Sequence, residues 1–220
     1  MSYKLDITGT ESDDVITVEI EQGVPNQIHA EVKDDVGNVL TEGTYNAGMF
    51  YEVSIAGLGG DDTIISDTGL TEYIFAGDGN DDVWGGDGAS AIYGGDGNDT
   101  LRAGGNGGLF NIVDGGAGHD TLLGGYGVDI LYGSTGNDSL MGSDGNDFIY
   151  GSEGDDYLNG GFGNDYLYGG ADNDELQGGS GHDQLHGATG NDKLYGGVGH
   201  DIMTGGHGHD YMEGGSGNDN

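Results

Sequence analysis

The chain has 220 residues, of which 52 are glycine and only 33% are apolar, and forty acidic residues against four basic ones give a formal charge of −36. That apolar share is too small for an ordinary globular core, and so acidic a chain repels nucleic acid and anionic membrane surfaces and favours cations as partners. With no cysteine it has neither a disulfide framework nor a thiolate metal site.

The first twenty residues, MSYKLDITGTESDDVITVEI, lack the basic start and apolar run of a secretory signal. No segment reaches the roughly 20 apolar residues that span a bilayer. Within residues 1–56, VITVEI (15–20), IHAEV (28–32), VGNVL (36–40) and FYEVSI (50–55) alternate apolar and polar residues and predict strands. GTESDDVIT (9–17) looks like a worn copy of the motif that dominates the rest of the chain. Residues 1–56 are expected to form a small β cap that seals the N-terminal end of a repeat domain over 57–220.

From Gly57 onward glycine is periodic, the mark that separates a repeat architecture from low-complexity disorder. A degenerate nine-residue unit, GLGGDDTII, begins at Gly57; a ten-residue unit spans 66–75, three regular units fill 76–102, and a twelve-residue unit spans 103–114. Eleven units then run without insertion or deletion from Gly115 to Glu213, and another begins at Gly214 and stops at Asn220, inside the repeat. Position 8 is large and apolar from Ile64, Val83, Ile92 and Leu101 through Leu194 to Met203 and Met212. This predicts a three-residue strand in each unit, with position 8 in the core and positions 7 and 9 facing outward.

Positions 1, 2 and 4 are mostly glycine, as at Gly160, Gly161 and Gly163, which suits a tight turn with positive φ. Position 5 is Asn, Asp or His in nearly every unit; these types tolerate left-handed backbone best after glycine, so that conformation is expected there. Position 6 carries the chemistry: Asp62, Asp81, Asp99, Asp120, Asp129, Asp138, Asp147, Asp156, Asp165, Asp174, Asp183, Asp192, Asp201, Asp210 and Asp219. Ca²⁺ accepts about six to eight oxygens from carboxylates and carbonyls, and a glycine turn frees carbonyls beside each Asp. The alternative is a row of solvated acidic turns.

GGDGNDTLR (94–102) and GGFGNDYLY (160–168) carry Gly at positions 1, 2 and 4, Asp at 6 and Leu at 8. The pattern closely resembles the repeats-in-toxin (RTX, haemolysin-type) family of calcium-binding nonapeptide repeats. The resemblance implies an all-β fold, a right-handed parallel β-roll (a β-helix solenoid) with two units per coil and Ca²⁺ held between turns stacked one coil apart. Its ligands on this chain would be the position-6 Asp residues. It also implies a secreted, extracellular protein. Members of the family often join such an array to a protease, lipase or pore-forming domain and end in an export segment; neither is found here, so a fragment or split gene is expected.

One buried Leu contributes about 1.5 to 3 kcal/mol, whereas ordering nine backbones costs on the order of 9 to 18 kcal/mol. Stacked carboxylates roughly 5 Å apart add about 1 kcal/mol of repulsion per pair even at water's dielectric constant. Ca²⁺ between the turns converts that repulsion into ligation, so binding is expected to drive folding.

Counting from Gly57, the odd units all carry Asp at position 6, whereas the even ones have no clear Asp in 66–75, Ser90 in 85–93 and Gly108 in 103–114, with Asp only from Asp129 onward. If each ion is shared by carboxylates one coil apart, nine odd Asp make eight pairs and six even Asp make five, a ceiling of about thirteen sites. The same parity appears on the outside: Tyr132, Tyr150 and Tyr168, followed by His186, recur every 18 residues with Ile130, Phe148 and Tyr166 beside them. These are expected to stack each on its equivalent, with self-association or docking of a partner as a second role.

Neither H-E-x-x-H nor G-x-S-x-G occurs and there is no Cys nucleophile, so the chain is not expected to be an enzyme. His182 with His200, and His207 with His209, could suit a transition metal, but position 5 accounts for three of them as turn residues. Two function classes remain: a calcium-binding extracellular repeat module that folds on binding Ca²⁺, or the tail of a larger secreted enzyme, toxin or adhesin.

Overall fold

The computed structural model describes residues 4–20, 27–34, 39–46, 52–105 and 109–220, and all the regular structure in them is β. A ten-stranded sheet contains, in spatial order, β1 (Lys4–Thr8), β5 (Glu52–Gly59), β7 (Thr71–Asp78), β9 (Ser90–Asp96), β11 (Phe110–Ala117), β13 (Val128–Thr135), β15 (Phe148–Glu153), β17 (Tyr166–Ala171), β19 (Gln184–Thr189) and β21 (Ile202–His207). A twelve-stranded sheet runs from β22 (Tyr211–Gly217) through β20 (Lys193–Gly199), β18 (Glu175–Gly181), β16 (Tyr157–Phe162), β14 (Ser139–Asp144), β12 (Thr121–Tyr126), β10 (Thr100–Arg102), β8 (Asp82–Trp84) and β6 (Thr63–Asp67) to β2 (Asp14–Ile20), β3 (Gln27–Asp34) and β4 (Val39–Asn46).

The chain alternates between the sheets, so even units build the first and odd units the second. Two units make one coil, and residues 18 apart pair in parallel, as in Leu131↔Ile149↔Leu167 and Leu140↔Leu158↔Leu176. The result is a parallel β-roll. At the N-terminal end β1 and β2 add a coil, in parallel register with β5 and β6, and β3 and β4 continue the second sheet antiparallel. Parts of two expected strands, residues 36–38 and 50–51, lie outside the described residues.

Side chains alternate along each strand, and this sets the core. Val83, Ile92, Leu101, Leu122 and every position-8 residue on to Leu194 are fully buried. Met203 is half-buried and Met212 is 50% exposed, against the expectation that all of position 8 points into the core; β22 is the terminal strand of its sheet and no coil lies over it. Strands are also longer than the three residues expected. Only β8 and β10 are that short, while β14 runs for six residues into the next unit's turn. The reason is that position 2 still pairs with its equivalent one coil away, as in Gly125↔Ser143↔Gly161.

Position 2 tolerates a side chain at positive φ, as Ser143 (φ 83°) and Ser152 (φ 90°) show. Position 4 is glycine in most units, with Asp172 (φ 75°) as an exception; at Gly163, φ 134°, a Cβ would overlap the carbonyl oxygen of Gly145 in the preceding coil. Close backbone stacking is what glycine permits. No helix among the described residues is long and apolar enough to cross a membrane.

On the outer face of the first sheet, Tyr132 and Tyr150 stack with centroids 5.2 Å apart and planes at 13°. The expected stack does not continue unchanged: Tyr166 makes tilted contacts with Phe148 (6.2 Å) and with Tyr150 (5.9 Å), and its other ring neighbour is His186 (5.3 Å). Tyr150 thus meets the ring of Tyr166 as well as pairing along the backbone with Tyr168. The face also extends further than expected, through a stacked Phe75–Tyr93 pair at 5.1 Å.

Candidate metal site

The turns line two edges of the roll, one for each parity of unit. Along the odd edge, Asp62, Asp81, Asp99, Asp120, Asp138, Asp156, Asp174 and Asp192 are buried, and Asp210 is half-buried at the end. Along the even edge the buried residues are Asp129, Asp147, Asp165, Asp183 and Asp201, with Asp219 half-buried. In both rows the backbone N–H of one Asp donates to Oδ1 of the Asp one coil onward: Asp138 to Asp156 at 2.8 Å and Asp147 to Asp165 at 2.9 Å are typical. One carboxylate oxygen per residue is thereby placed by the backbone.

The other oxygen has no partner. Oδ2 of each of the thirteen buried Asp residues in the two rows is inaccessible to solvent and without a hydrogen bond. A buried polar atom left unpaired costs about 1 to 3 kcal/mol, and more when charged. Beside twelve of these oxygens stands the position-1 glycine; only Asp81 has an alanine, Ala76, at that position. A Cβ on Gly133 would overlap Asp138 Oδ2 and lie 2.7 Å from the carbonyl oxygen of Gly151 in the next coil; Gly151 repeats this with Asp156 Oδ2 and the Gly169 carbonyl. Orphaned carboxylate oxygens and backbone carbonyls from adjacent coils therefore converge on the same space.

No three His, Cys, Asp or Glu side chains converge among the described residues, so an ion here would take carboxylates from stacked coils together with carbonyls. An all-oxygen set of that kind fits a hard cation such as Ca²⁺. The electrostatics also call for positive charge. Burial, only partly opposed by the backbone hydrogen bond and reinforced by neighbouring carboxylates, pushes Asp62, Asp99, Asp147, Asp156 and Asp165 up to about 7 and Asp174 to about 8. Burial likewise raises Asp120, Asp129 and Asp183 to about 6.

The odd row has a member that sequence reasoning missed. Asp14 is buried, its N–H donates to Asp62 Oδ1 at 2.6 Å, its Oδ2 accepts from Thr10 N at 2.5 Å, and its Oδ1 is unpartnered. The signal was present, because Asp14 is position 6 of the worn motif at 9–17.

The even row requires a correction. Counting along the twelve-residue unit puts Gly108 at position 6, but Gly108 lies outside the described residues and the residue paired with Asp129 is Asn111. Asn111 Oδ1 accepts from Ser90 N at 2.9 Å and its Nδ2 donates to Asp129 Oδ1 at 2.8 Å. Ser90 therefore has a stacked partner. In the ten-residue unit the corresponding residue is Glu72, paired with Ser90. Its Oε1 accepts from Ser66 Oγ and Thr68 Oγ1 at 2.6 Å each, and its Oε2 from Gly86 N at 2.8 Å and Ser90 Oγ at 3.4 Å. Strand register, not count, decides which side chain enters the row.

Position 5 also works differently from the expectation. None of the non-glycine residues with positive φ is the Asn, Asp or His of position 5. Each such position-5 residue with a coil beyond it instead accepts a hydrogen bond from the backbone N–H of its equivalent one coil onward. Asn98 Oδ1 receives His119 N, His119 Nδ1 receives Asn137 N, and Asn137 Oδ1 receives Asp155 N. Asn, Asp and His share an acceptor two bonds beyond Cβ, and this is what the position uses. His182 and His200 are members of this ladder, each accepting at Nδ1, and their rings stack at 5.1 Å.

The sequence profile described as the RTX calcium-binding nonapeptide repeat matches six overlapping stretches, 75–108, 106–140, 132–167, 150–185, 163–194 and 186–220. No curated protein matches the chain.

Proposed function

Since the chain belongs to the family of RTX calcium-binding nonapeptide-repeat proteins, we propose that this calcium-binding module folds by binding Ca²⁺ and works outside the cell, holding the ions between the position-6 Asp residues of adjacent coils. The observation that carries this reading is the coincidence of the two Asp rows with the buried, unpartnered carboxylate oxygens. Sharing between neighbours sets a ceiling of about thirteen ions for the fifteen Asp residues, and Asp14 with Asp62 would add a pair to the odd row. Ca²⁺ supplies the positive charge that these oxygens lack. The chain's own residues supply the rest: backbone N–H groups orient Oδ1, and glycine keeps the carbonyls within reach.

Residues 1–56 act as the cap, with β3 and β4 extending the second sheet past the roll. The role is binding and structural, not catalytic; the alternative is a tail serving a larger secreted enzyme, toxin or adhesin. A Ca²⁺ titration followed by circular dichroism tests the central claim. β structure should appear cooperatively at about 10⁻⁴ to 10⁻³ M, the range of extracellular modules. A chain whose β content in excess chelator already equals that in saturating Ca²⁺ would overturn it.

A further inference from the structure

The even row changes character toward the N-terminus. Read by register from β13 back to β1, the residue facing the same edge is Asp129, Asn111, Ser90, Glu72, Val53 and Leu5. Asp129 Oδ2 is orphaned, whereas no side-chain atom of Glu72, Ser90 or Asn111 is. A carboxylate offers about four lone-pair sites, and those of Glu72 receive three hydroxyls and one backbone N–H from the chain itself. Next to it, Val53 and Leu5 are buried apolar residues with nothing to ligate. On this edge protein donors, then hydrocarbon, stand where the later coils present unpaired oxygens.

The core thickens in the same direction. From β6 to β20 each strand buries one large apolar side chain, whereas the first coils bury more: β2 buries Ile16 and Val18, β5 buries Val53 and Ile55, and β3 adds Ile28 and Val32. Each fully buried side chain of this kind contributes about 1.5 to 3 kcal/mol, so the early coils depend less on any ion.

We propose that the coils from β1 to β11, which carry orphaned carboxylate oxygens only on the odd edge, at Asp14, Asp62, Asp81 and Asp99, form a scaffold that orders without calcium and takes ions on that edge afterwards, and that Ca²⁺-dependent ordering starts on it and spreads through the later coils to β22. The proposal rests on calcium-driven folding of the later coils, as proposed above. In that picture the free chain is half built: the scaffold presents the edges of β10 and β11 as templates, and each added coil needs an ion on both sides to cancel its carboxylates.

Hydrogen–deuterium exchange of the full chain, read peptide by peptide in excess chelator and in saturating Ca²⁺, tests this. In chelator, amides of β5, β7 and β9 should exchange at least about tenfold more slowly than those of β15 to β20, and Ca²⁺ should slow the later strands to the same level. Uniformly fast exchange in chelator that Ca²⁺ abolishes everywhere would overturn the scaffold while leaving calcium-driven folding standing. Uniform protection in chelator would overturn both. Glu72→Ala should speed exchange of β7 and β9 in chelator and in Ca²⁺ alike, since no ion stands there to compensate, whereas Asp165→Ala should act only in Ca²⁺. If Glu72→Ala leaves β7 and β9 unchanged, the hydrogen-bonded cluster is not what replaces the ion, and the proposal fails.

Discussion

Each buried Asp does two jobs with two oxygens. In the two rows Oδ1 accepts a backbone N–H and fixes the side chain, and Oδ2 has no partner, which on the proposed function leaves it for a cation. Asp147→Ala removes both functions: it frees Asp129 N, which donates to Asp147 Oδ1 at 2.9 Å, and it deletes the carboxylate shared with the coils on either side. Bound Ca²⁺ should fall by about two ions, and the coils around β15 should lose on the order of 2 to 4 kcal/mol. Calcium counting and urea unfolding in saturating Ca²⁺ check this, and an unchanged ion count would place the ions elsewhere. Asn111→Asp makes the opposite prediction. A carboxylate stacked on Asp129 should lengthen the even row by one site, and no gain in bound Ca²⁺ would show that ions are not shared between stacked Asp residues. The raised carboxyls also predict a pH dependence. Their folded values of about 6 to 8 lie above the ordinary Asp value, so the metal-free fold binds more protons than the unfolded chain. Its stability is therefore greatest below the ordinary Asp value and is lost progressively as pH rises to about 6 to 8, where these carboxyls ionise in the fold. In chelator, β content should be higher at pH 5 than at pH 8, and the Ca²⁺ midpoint should move to higher concentration as pH falls, because Ca²⁺ and protons compete for the same oxygens.

The strand and its turn form an element whose tolerance differs by position. Gly161 (φ 102°) and Gly163 (φ 134°) lie two residues apart in one turn. Position 2 elsewhere holds Ser143 at φ 83°, so Gly161→Ser should be accommodated by a small backbone shift away from the Ser143 carbonyl, which lies 2.2 Å from where its Cβ would stand, and should cost less than a change at Gly163. Gly163→Ala places a methyl group on the Gly145 carbonyl and adds about 1 to 2 kcal/mol of left-handed strain. It should destabilise the roll by several times as much, as read by urea unfolding in Ca²⁺. The aromatic face is tested at the same scale by Tyr150→Ser combined with Tyr168→Ser. Loss of stability of about 1 kcal/mol or more with no change in sedimentation identifies a ladder that holds coils in register. A wild-type dimer that dissociates in the double variant identifies an interface.

For the whole molecule the balance is between a charge of −36 and the ions that offset it. Mg²⁺ should replace Ca²⁺ poorly, because it demands near-ideal octahedral geometry and keeps its waters, whereas these sites are built from stacked turns of fixed spacing. Equal β content at equal concentrations of the two ions would contradict that. Adding chelator to the folded protein should reverse folding in the later coils first, since both of their edges carry orphaned oxygens.

Strict periodicity made much of this legible beforehand. The position-8 column and the unequal Asp rows follow from spacing and parity, whereas the parallel roll with two units per coil was implied by the resemblance to the RTX repeats, since a nine-residue period stacks Leu on Leu at nine residues as well as at eighteen. Where the period breaks, the sequence alone misleads. Glu72 and Asn111 enter the even row because strand pairing aligns them with Ser90 and Asp129, and the extra residues of their units do not disturb that alignment. The role of position 5 was likewise set between coils: composition pointed to backbone conformation, but Asn98 and His119 serve as acceptors for an N–H 18 or more residues away. Met212 is exposed because burial needs a coil on the far side as well as an apolar side chain. The repeat by itself, through its period and the family it resembles, determined the fold and the chemistry offered at each turn. Only the tertiary structure decided which of those oxygens are left without a partner, because that depends on what the neighbouring coil donates.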